Sequence, residues 1–216
     1  MMRWLTPLLI VALVGTILVG VSRPPRWHFT KEDLGKLPAG WQSMKTGPGD
    51  GSVWKVVADD SAPSKRGYVL AQTAEGPNTL FNVCAIEDVD YRDVEVQVAF
   101  KAVRGKLDQG GGIVWRLMDA ENYYVARMNP LESNFRVYKV VHGKRTQLDT
   151  KEDLKIPAGE WHTLKVRHRG EQIECWLDGK KYLEAKDDTY TKAGKIGVWT
   201  KADAQTYFDN LQVTNR

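Results

Sequence analysis

Arginine and tyrosine side chains recur at two-residue spacing in three neighbouring segments of this chain. These are Gly112-Ile113-Val114-Trp115-Arg116, Asn122-Tyr123-Tyr124-Val125-Ala126-Arg127-Met128-Asn129-Pro130-Leu131-Glu132, and Asn134-Phe135-Arg136-Val137-Tyr138-Lys139-Val140. In extended chain, alternate residues share a face. Arg116, then Tyr123 with Arg127, then Asn134 with Arg136 and Tyr138 therefore each lie on one side of their segment. Trp199, Lys201 and Asp203 repeat the spacing near the C-terminus. If the parities agree, one surface carries aromatic rings, guanidinium forks and the polar groups of Asn129 and Glu132. Sugars suit such a surface, because their C–H faces stack on rings while their hydroxyls need fixed donors and acceptors. The expected ligand-binding set is Arg116, Tyr123, Arg127, Asn129, Glu132, Arg136, Tyr138, Trp199 and Lys201. The same pattern also fits a solvated β-surface whose arginines pair with nearby carboxylates.

Other chemistry finds little support. His28, His142, His162 and His168 form no His-x-x-x-His spacing, so neither a metal site nor a cofactor is expected. Gly110-Gly111-Gly112 precedes a strand and has no Lys-Ser/Thr pair, and reads as a close backbone approach rather than a phosphate cradle. Asp93 and Glu95, roughly 6–7 Å apart on one strand face, read as a solvated pair. Cys84 and Cys175 each sit in an apolar run without a neighbouring His, and read as buried free thiols. A carboxylate such as Glu132 or Asp203 remains available as an acid or base on a bound sugar; catalytic residues are otherwise unassigned.

The elements that would position these groups are strands. Val94, Val96, Val98, Phe100 and Ala102 alternate with Asp93, Glu95, Gln97, Ala99 and Lys101. The period recurs at Leu164/Val166, Ile173/Cys175/Leu177 and Ile196/Val198. Turn signals fall between the runs, among them Asp119-Ala120-Glu121-Asn122, His142-Gly143, Pro157-Ala158-Gly159, Arg169-Gly170 and Asp178-Gly179. About a dozen strands at this spacing indicate one antiparallel sandwich or barrel. Thr30-Lys31-Glu32-Asp33 offers a cap for a short helix. An echo links Lys31-Glu32-Asp33-Leu34 and Pro38-Ala39-Gly40-Trp41 with Lys151-Glu152-Asp153-Leu154 and Pro157-Ala158-Gly159, followed by Trp161, and reads as a local loop–turn–strand device.

Composition bounds the rest. The 216 residues hold 27% charged and 10% aromatic side chains, too apolar and aromatic for a disordered chain, and two cysteines exclude a disulfide framework. The net charge of +4 is not gathered in any basic block, so no nucleic-acid partner is expected. Trp4 to Ser22 contains no charge. As a helix it would reach about 28 Å, which matches either a signal peptide or a membrane anchor. The expected organisation is a hydrophobic N-terminal helix at 1–22, the only membrane-directed segment, and a β-domain at 28–216. An exported location follows: periplasmic, extracellular or membrane-anchored.

Gly-Gly-Ile-Val-Trp-Arg at 111–116, Asn-Tyr-Tyr-Val-Ala-Arg at 122–127, Asn-Pro-Leu-Glu at 129–132 and Asn-Phe-Arg-Val-Tyr-Lys-Val at 134–140 resemble the 3-keto-disaccharide hydrolase domain family. Gly159-Glu160-Trp161-His162, Trp176-Leu177-Asp178-Gly179 and the block at 194–203 before Phe208-Asp209-Asn210 agree with it. The resemblance covers roughly residues 28–216. It implies an all-β, two-sheet antiparallel jelly-roll sandwich of the concanavalin A-like and laminin G-like kind, common in exported bacterial proteins, with carbohydrate as the partner. It also implies cleavage of 3-keto-glycosides, although no catalytic or metal-binding motif of that family maps onto positions here. Three functions stay open: a glycan-binding domain on the Arg/Tyr/Trp face, an active hydrolase, and a structural envelope domain without ligand.

Overall fold

The computed structural model describes Met2 and residues 24–215. The segment read as leader or anchor therefore lies, Met2 aside, outside the described residues. Two antiparallel sheets face each other, as the strand pattern and the family resemblance both indicate. Across the first run β13 (Lys180–Lys186), β12 (Gln172–Leu177), β11 (Trp161–Arg169), β6 (Val94–Arg104), β15 (Gln205–Asn215), β4 (Tyr68–Gln72) and β3 (Trp54–Ala58), with β1 (Arg26–Trp27) beside β15. The second contains β10 (Lys144–Lys151), β9 (Asn134–Val141), β8 (Asn122–Asn129), β7 (Gly111–Asp119), β14 (Lys195–Lys201), β5 (Phe81–Ile86) and β2 (Trp41–Thr46), in that order.

Alternation decides what each strand buries. Val94, Val96, Val98 and Phe100 of β6 enter the inter-sheet core with Leu164, Val166, Ile173, Cys175 and Phe208 of the same sheet. Ile113, Trp115, Tyr124, Ala126, Met128, Phe135 and Val137 meet them from the second sheet. Each such side chain contributes roughly 1.5–3 kcal/mol by leaving water. Cys84 and Cys175 both point into this core as free thiols, and burial raises both above the ordinary thiol range. At the hairpin turns His142-Gly143 and Asp178-Gly179 both residues have positive φ, the backbone that matches strand twist. Thr30 precedes a single 3-10 turn, Lys31–Asp33, in which Asp33 Oδ2 accepts from the Thr30 amide at 2.9 Å. The echoed Trp41 and Trp161 open β2 and β11, which lie in different sheets.

The second sheet is rolled about its outer face. Arg145 on edge strand β10 reaches across to the ring of Phe81 on β5 at 5.1 Å and to that of Trp199 on β14 at 5.9 Å. From the opposite edge, Thr46 on β2 meets Tyr123 Oη of β8 at 2.9 Å. Register irregularities at Trp115/Asp119 in β7, Gln147/Asp149 in β10 and Lys195/Gly197 in β14 add the local bend. Rolling gives this sheet a core of its own: Phe81, Val83, Ala85, Val114, Leu117, Tyr123, Val125, Tyr138, Val140 and Trp199 are all buried on the side turned away from the first sheet. A sheet buried on both faces also explains why β7, β8 and β9 read as nearly continuous apolar runs.

Candidate functional site

On the rolled face the registers Arg127↔Arg136 and Gly112↔Arg127 place the two arginines side by side, next to a strand position without a side chain. Gly112 is required there. A Cβ on it would stand 2.6 Å from the Ala126 carbonyl oxygen and 3.0 Å from Arg127 Cβ. The tight Pro130–Ser133 turn returns the chain, with Asn129 Oδ1 accepting from the Leu131 amide at 3.0 Å, and so brings Glu132 back over Arg127. Glu132 Oε2 accepts from Arg127 Nη2 at 2.7 Å and from Asn134 Nδ2 at 3.1 Å, and lies 3.7 Å from Arg136 Nη1. Partial burial works against the Glu132 carboxylate, but the Arg127 hydrogen bond and charge prevail and hold it below the ordinary range. Arg136 donates to Glu152 Oε1 at 3.0 Å.

Two contributors come from elsewhere in the chain. Asp108, in the loop between β6 and β7, is fully buried, with Lys201 Nζ 3.9 Å from its Oδ2. Burial pushes its carboxyl upward, against the pull of Arg127 and Lys201. Arg145 lies over the Tyr138 ring at 4.3 Å, and among the described residues no carboxylate lies within ion-pair distance of it. Among the described residues, twelve buried side-chain polar atoms find no hydrogen-bond partner in the protein. Eight of them belong to this cluster: both Asp108 oxygens, Arg127 Nε and Nη1, Asn129 Nδ2, Asn134 Oδ1, Tyr138 Oη and Arg145 Nη1. Native interiors pair such atoms with protein groups, ordered water or a ligand, so their concentration in one place makes this cluster the candidate site. Glu132 and Arg136, about a third and a quarter exposed, form its open side.

The structure thus gathers Arg127, Asn129, Glu132, Arg136, Tyr138 and Lys201 from the expected set. Tyr123 and Trp199 share the face but are sealed into its apolar half, where Trp199 Nε1 donates to Tyr123 Oη at 3.3 Å; neither ring presents a stacking platform. Arg116 leaves the face altogether. The register irregularity after Trp115 turns it off the alternation at φ 42°. Its guanidinium instead ties loops together, donating to the carbonyls of Arg92 and Tyr190 at 2.7 Å and Gly170 at 2.9 Å. Asp203 does not face the cluster as an acid or base. It accepts from the amides of Lys106, Leu107 and Asp108 at 2.7–3.0 Å and anchors the loop that delivers Asp108. Those hydrogen bonds overcome its slight burial and hold its carboxyl low. Asp93 accepts from the Gly170 amide at 2.9 Å and pairs with Arg116.

Sequence reading missed Asp108 and Arg145. Continuing the alternation past His142-Gly143 into the next strand identifies Arg145, whose register partner is Val140. Asp108 carries no periodic signal, because a loop held by a carboxylate ninety-five residues later places it. Among the described residues no group of three or more His, Cys, Asp or Glu side chains is arranged to hold a metal ion.

Solved structures of similar fold include the carbohydrate-binding module CBM66 of Bacillus subtilis. It is 17% identical, with 80% of this chain and 93% of that chain covered at a TM-score of 0.64. The β-glucanase of Bacillus licheniformis is 13% identical over 85% and 96% of the two chains, at 0.57. A family 16 endo-glucanase of Bacteroides ovatus is 11% identical over 84% and 98%, at 0.58. At these identities the likeness is one of fold. No curated protein sequence matches the chain. The sequence model of the 3-keto-alpha-glucoside-1,2-lyase-like domain matches residues 33–214, and the chain belongs to that family.

Proposed function

We propose that this is an exported carbohydrate-interacting domain that takes its ligand on the polar half of the rolled sheet, between Arg127, Arg136, Tyr138, Arg145 and Asp108. The observation that carries the reading is the group of eight orphaned buried polar atoms, a mixture of donors and acceptors of the kind that saccharide hydroxyls satisfy. Family membership and the carbohydrate-directed names of the fold relatives support it. Isothermal titration of the full-length chain in detergent against a panel of neutral, 3-keto and acidic oligosaccharides tests it. Arg136 is a quarter exposed and packs little, so Arg136→Ala is expected to melt within a few degrees of the wild type while binding at least tenfold more weakly. Unchanged affinity in that variant, or no binding across the panel, removes the assignment. Export rests on the uncharged stretch Trp4–Ser22; recovery of the protein in the cytoplasmic fraction would refute it.

Glycoside cleavage is a second reading, favoured by one feature. Environment pushes the carboxyls of Asp108 and Glu132 in opposite directions on either side of Arg127, as an acid and a base require. Turnover of 3-keto-glycosides by the wild type that disappears in Asp108→Asn supports it. A wild type that binds these substrates without consuming them excludes it.

A further inference from the structure

Among the described residues of this cluster, Arg145 is a cation that forms no ion pair, and the carboxylates that act on it, Asp108 and Glu132, do so from beyond ion-pair distance. Four cations, Arg127, Arg136, Arg145 and Lys201, stand beside three carboxylates there, and none of the three forms an ion pair with Arg145. Glu132 takes Arg127 and Asn134; Glu152 takes Arg136 and accepts from Thr150 Oγ1 at 2.6 Å; Asp108 stands 3.9 Å from Lys201. The Arg145 guanidinium lies over Tyr138, Phe81 and Trp199 at 4.3, 5.1 and 5.9 Å, and its Nη1 is buried with no partner. Stacking on rings offsets part of the desolvation of a guanidinium, but a buried fork without an acceptor is costly. An arginine packed against three rings also loses less freedom when a ligand arrives, because its neighbours already restrict its rotamers. Tyr138 Oη, unpaired, belongs to the ring beneath that fork, and the two unpaired Arg127 nitrogens complete a set of donors. A planar anion matches a guanidinium fork in a bidentate manner, and a neutral hydroxyl does not.

We propose that the saccharide bound at this cluster is acidic, with a uronic acid residue whose carboxylate pairs with Arg145. The inference rests on the carbohydrate reading above and narrows its ligand.

The test is isothermal titration of the full-length chain in detergent with oligogalacturonides, oligoglucuronates and oligoalginates, each alongside its methyl ester, at low and high salt. At least one acid is expected to bind tenfold or more tightly than its ester, with the difference shrinking as salt rises. Arg145→Met keeps an apolar chain over the rings and is expected to weaken acid binding at least tenfold more than ester binding, which abolishes the preference. Arg145→Lys retains the charge without the fork and is expected to fall between. Thermal melts of both variants monitor folding, and Arg145→Lys keeps the question answerable should Arg145→Met unfold. Equal affinity for acid and ester, an acid preference that survives Arg145→Met, or binding of neutral sugars alone overturns the acidic assignment and leaves the carbohydrate reading intact. Absence of binding by every saccharide overturns both.

Discussion

Arg127→Ala is expected to abolish measurable saccharide binding, at least a hundredfold loss, and to lower stability by about 3 kcal/mol. The side chain is 1% exposed and is the hinge of the polar cluster: Nη2 holds Glu132 at 2.7 Å, while Nε and Nη1 are buried without a hydrogen-bond partner. Truncation removes the counter-charge from two carboxylates of different burial. Glu132, a third exposed, can rehydrate, whereas the fully buried Asp108, already pushed upward by burial, loses the Arg127 charge that opposes that push. The stability cost therefore comes mainly from Asp108, and combining Arg127→Ala with Asp108→Asn should recover a large part of it without restoring binding. Urea unfolding of the two single variants and the double variant, analysed as a cycle, measures the coupling. Strict additivity would show that the two groups do not share a site. Arg127→Lys is expected to preserve most of the stability and little of the binding, since an ammonium cannot hold Glu132 and present two further donors at once.

Acidification from pH 6.5 to 4 is expected to cost about 3 kcal/mol of folding stability through His168 alone. This imidazole is fully buried in the inter-sheet core, where Trp115 Nε1 donates to its Nδ1 at 2.9 Å and the Tyr124 ring meets it edge-on at 5.1 Å. Protonation would set an N–H on Nδ1 against the Trp115 N–H. Burial first, and the Arg116 charge second, lower its pKa from 6.5 to about 4. The folded state thus binds fewer protons than the unfolded state across that interval. Stability is complete above pH 6.5 and declines as pH falls toward 4. Most carboxylates titrate in the unfolded chain only near pH 4, so the upper part of the window belongs to histidine. His28, also lowered by burial and by Arg66 and Arg26, adds a smaller share. In His168→Gln the amide oxygen can still accept from Trp115, so stability at pH 7 should change by only about 1 kcal/mol. The slope between pH 6.5 and 4.5 should flatten. Parallel wild-type and variant curves from chemical denaturation at several pH values would show that His168 is not the titrating group.

Strand content was legible because a half-buried strand writes its alternation into the chain. Val94 to Ala102, Leu164/Val166 and Ile173/Cys175/Leu177 lie where their period places them. The pairs His142-Gly143 and Asp178-Gly179 marked their hairpins because few residues besides Gly, Asn and Asp turn there readily. Arg127, Arg136 and Tyr138 share a face because they sit at equal parity on registered neighbours. That rule is local, and it failed where local geometry changed. A single irregularity after Trp115 moved Arg116 from the expected surface to a knot of loop carbonyls.

By itself, the sequence determined the all-β class through its strand spacing, the family and its two-sheet form through motif resemblance, and the polar core of the candidate site from β8 and β9 through parity within a few residues. Only the tertiary structure decided which half of the outer face is open. Rolling of the second sheet brings β10 over β5 and β14, seals Trp199 and Tyr123 into a second core, and leaves Arg145 above three rings without an ion-pair partner among the described residues. It also decided that Asp108 belongs to the site and that Asp203 positions it. Both facts depend on sheet curvature and on a hydrogen bond between residues 95 positions apart, and no pattern of neighbouring residues encodes either.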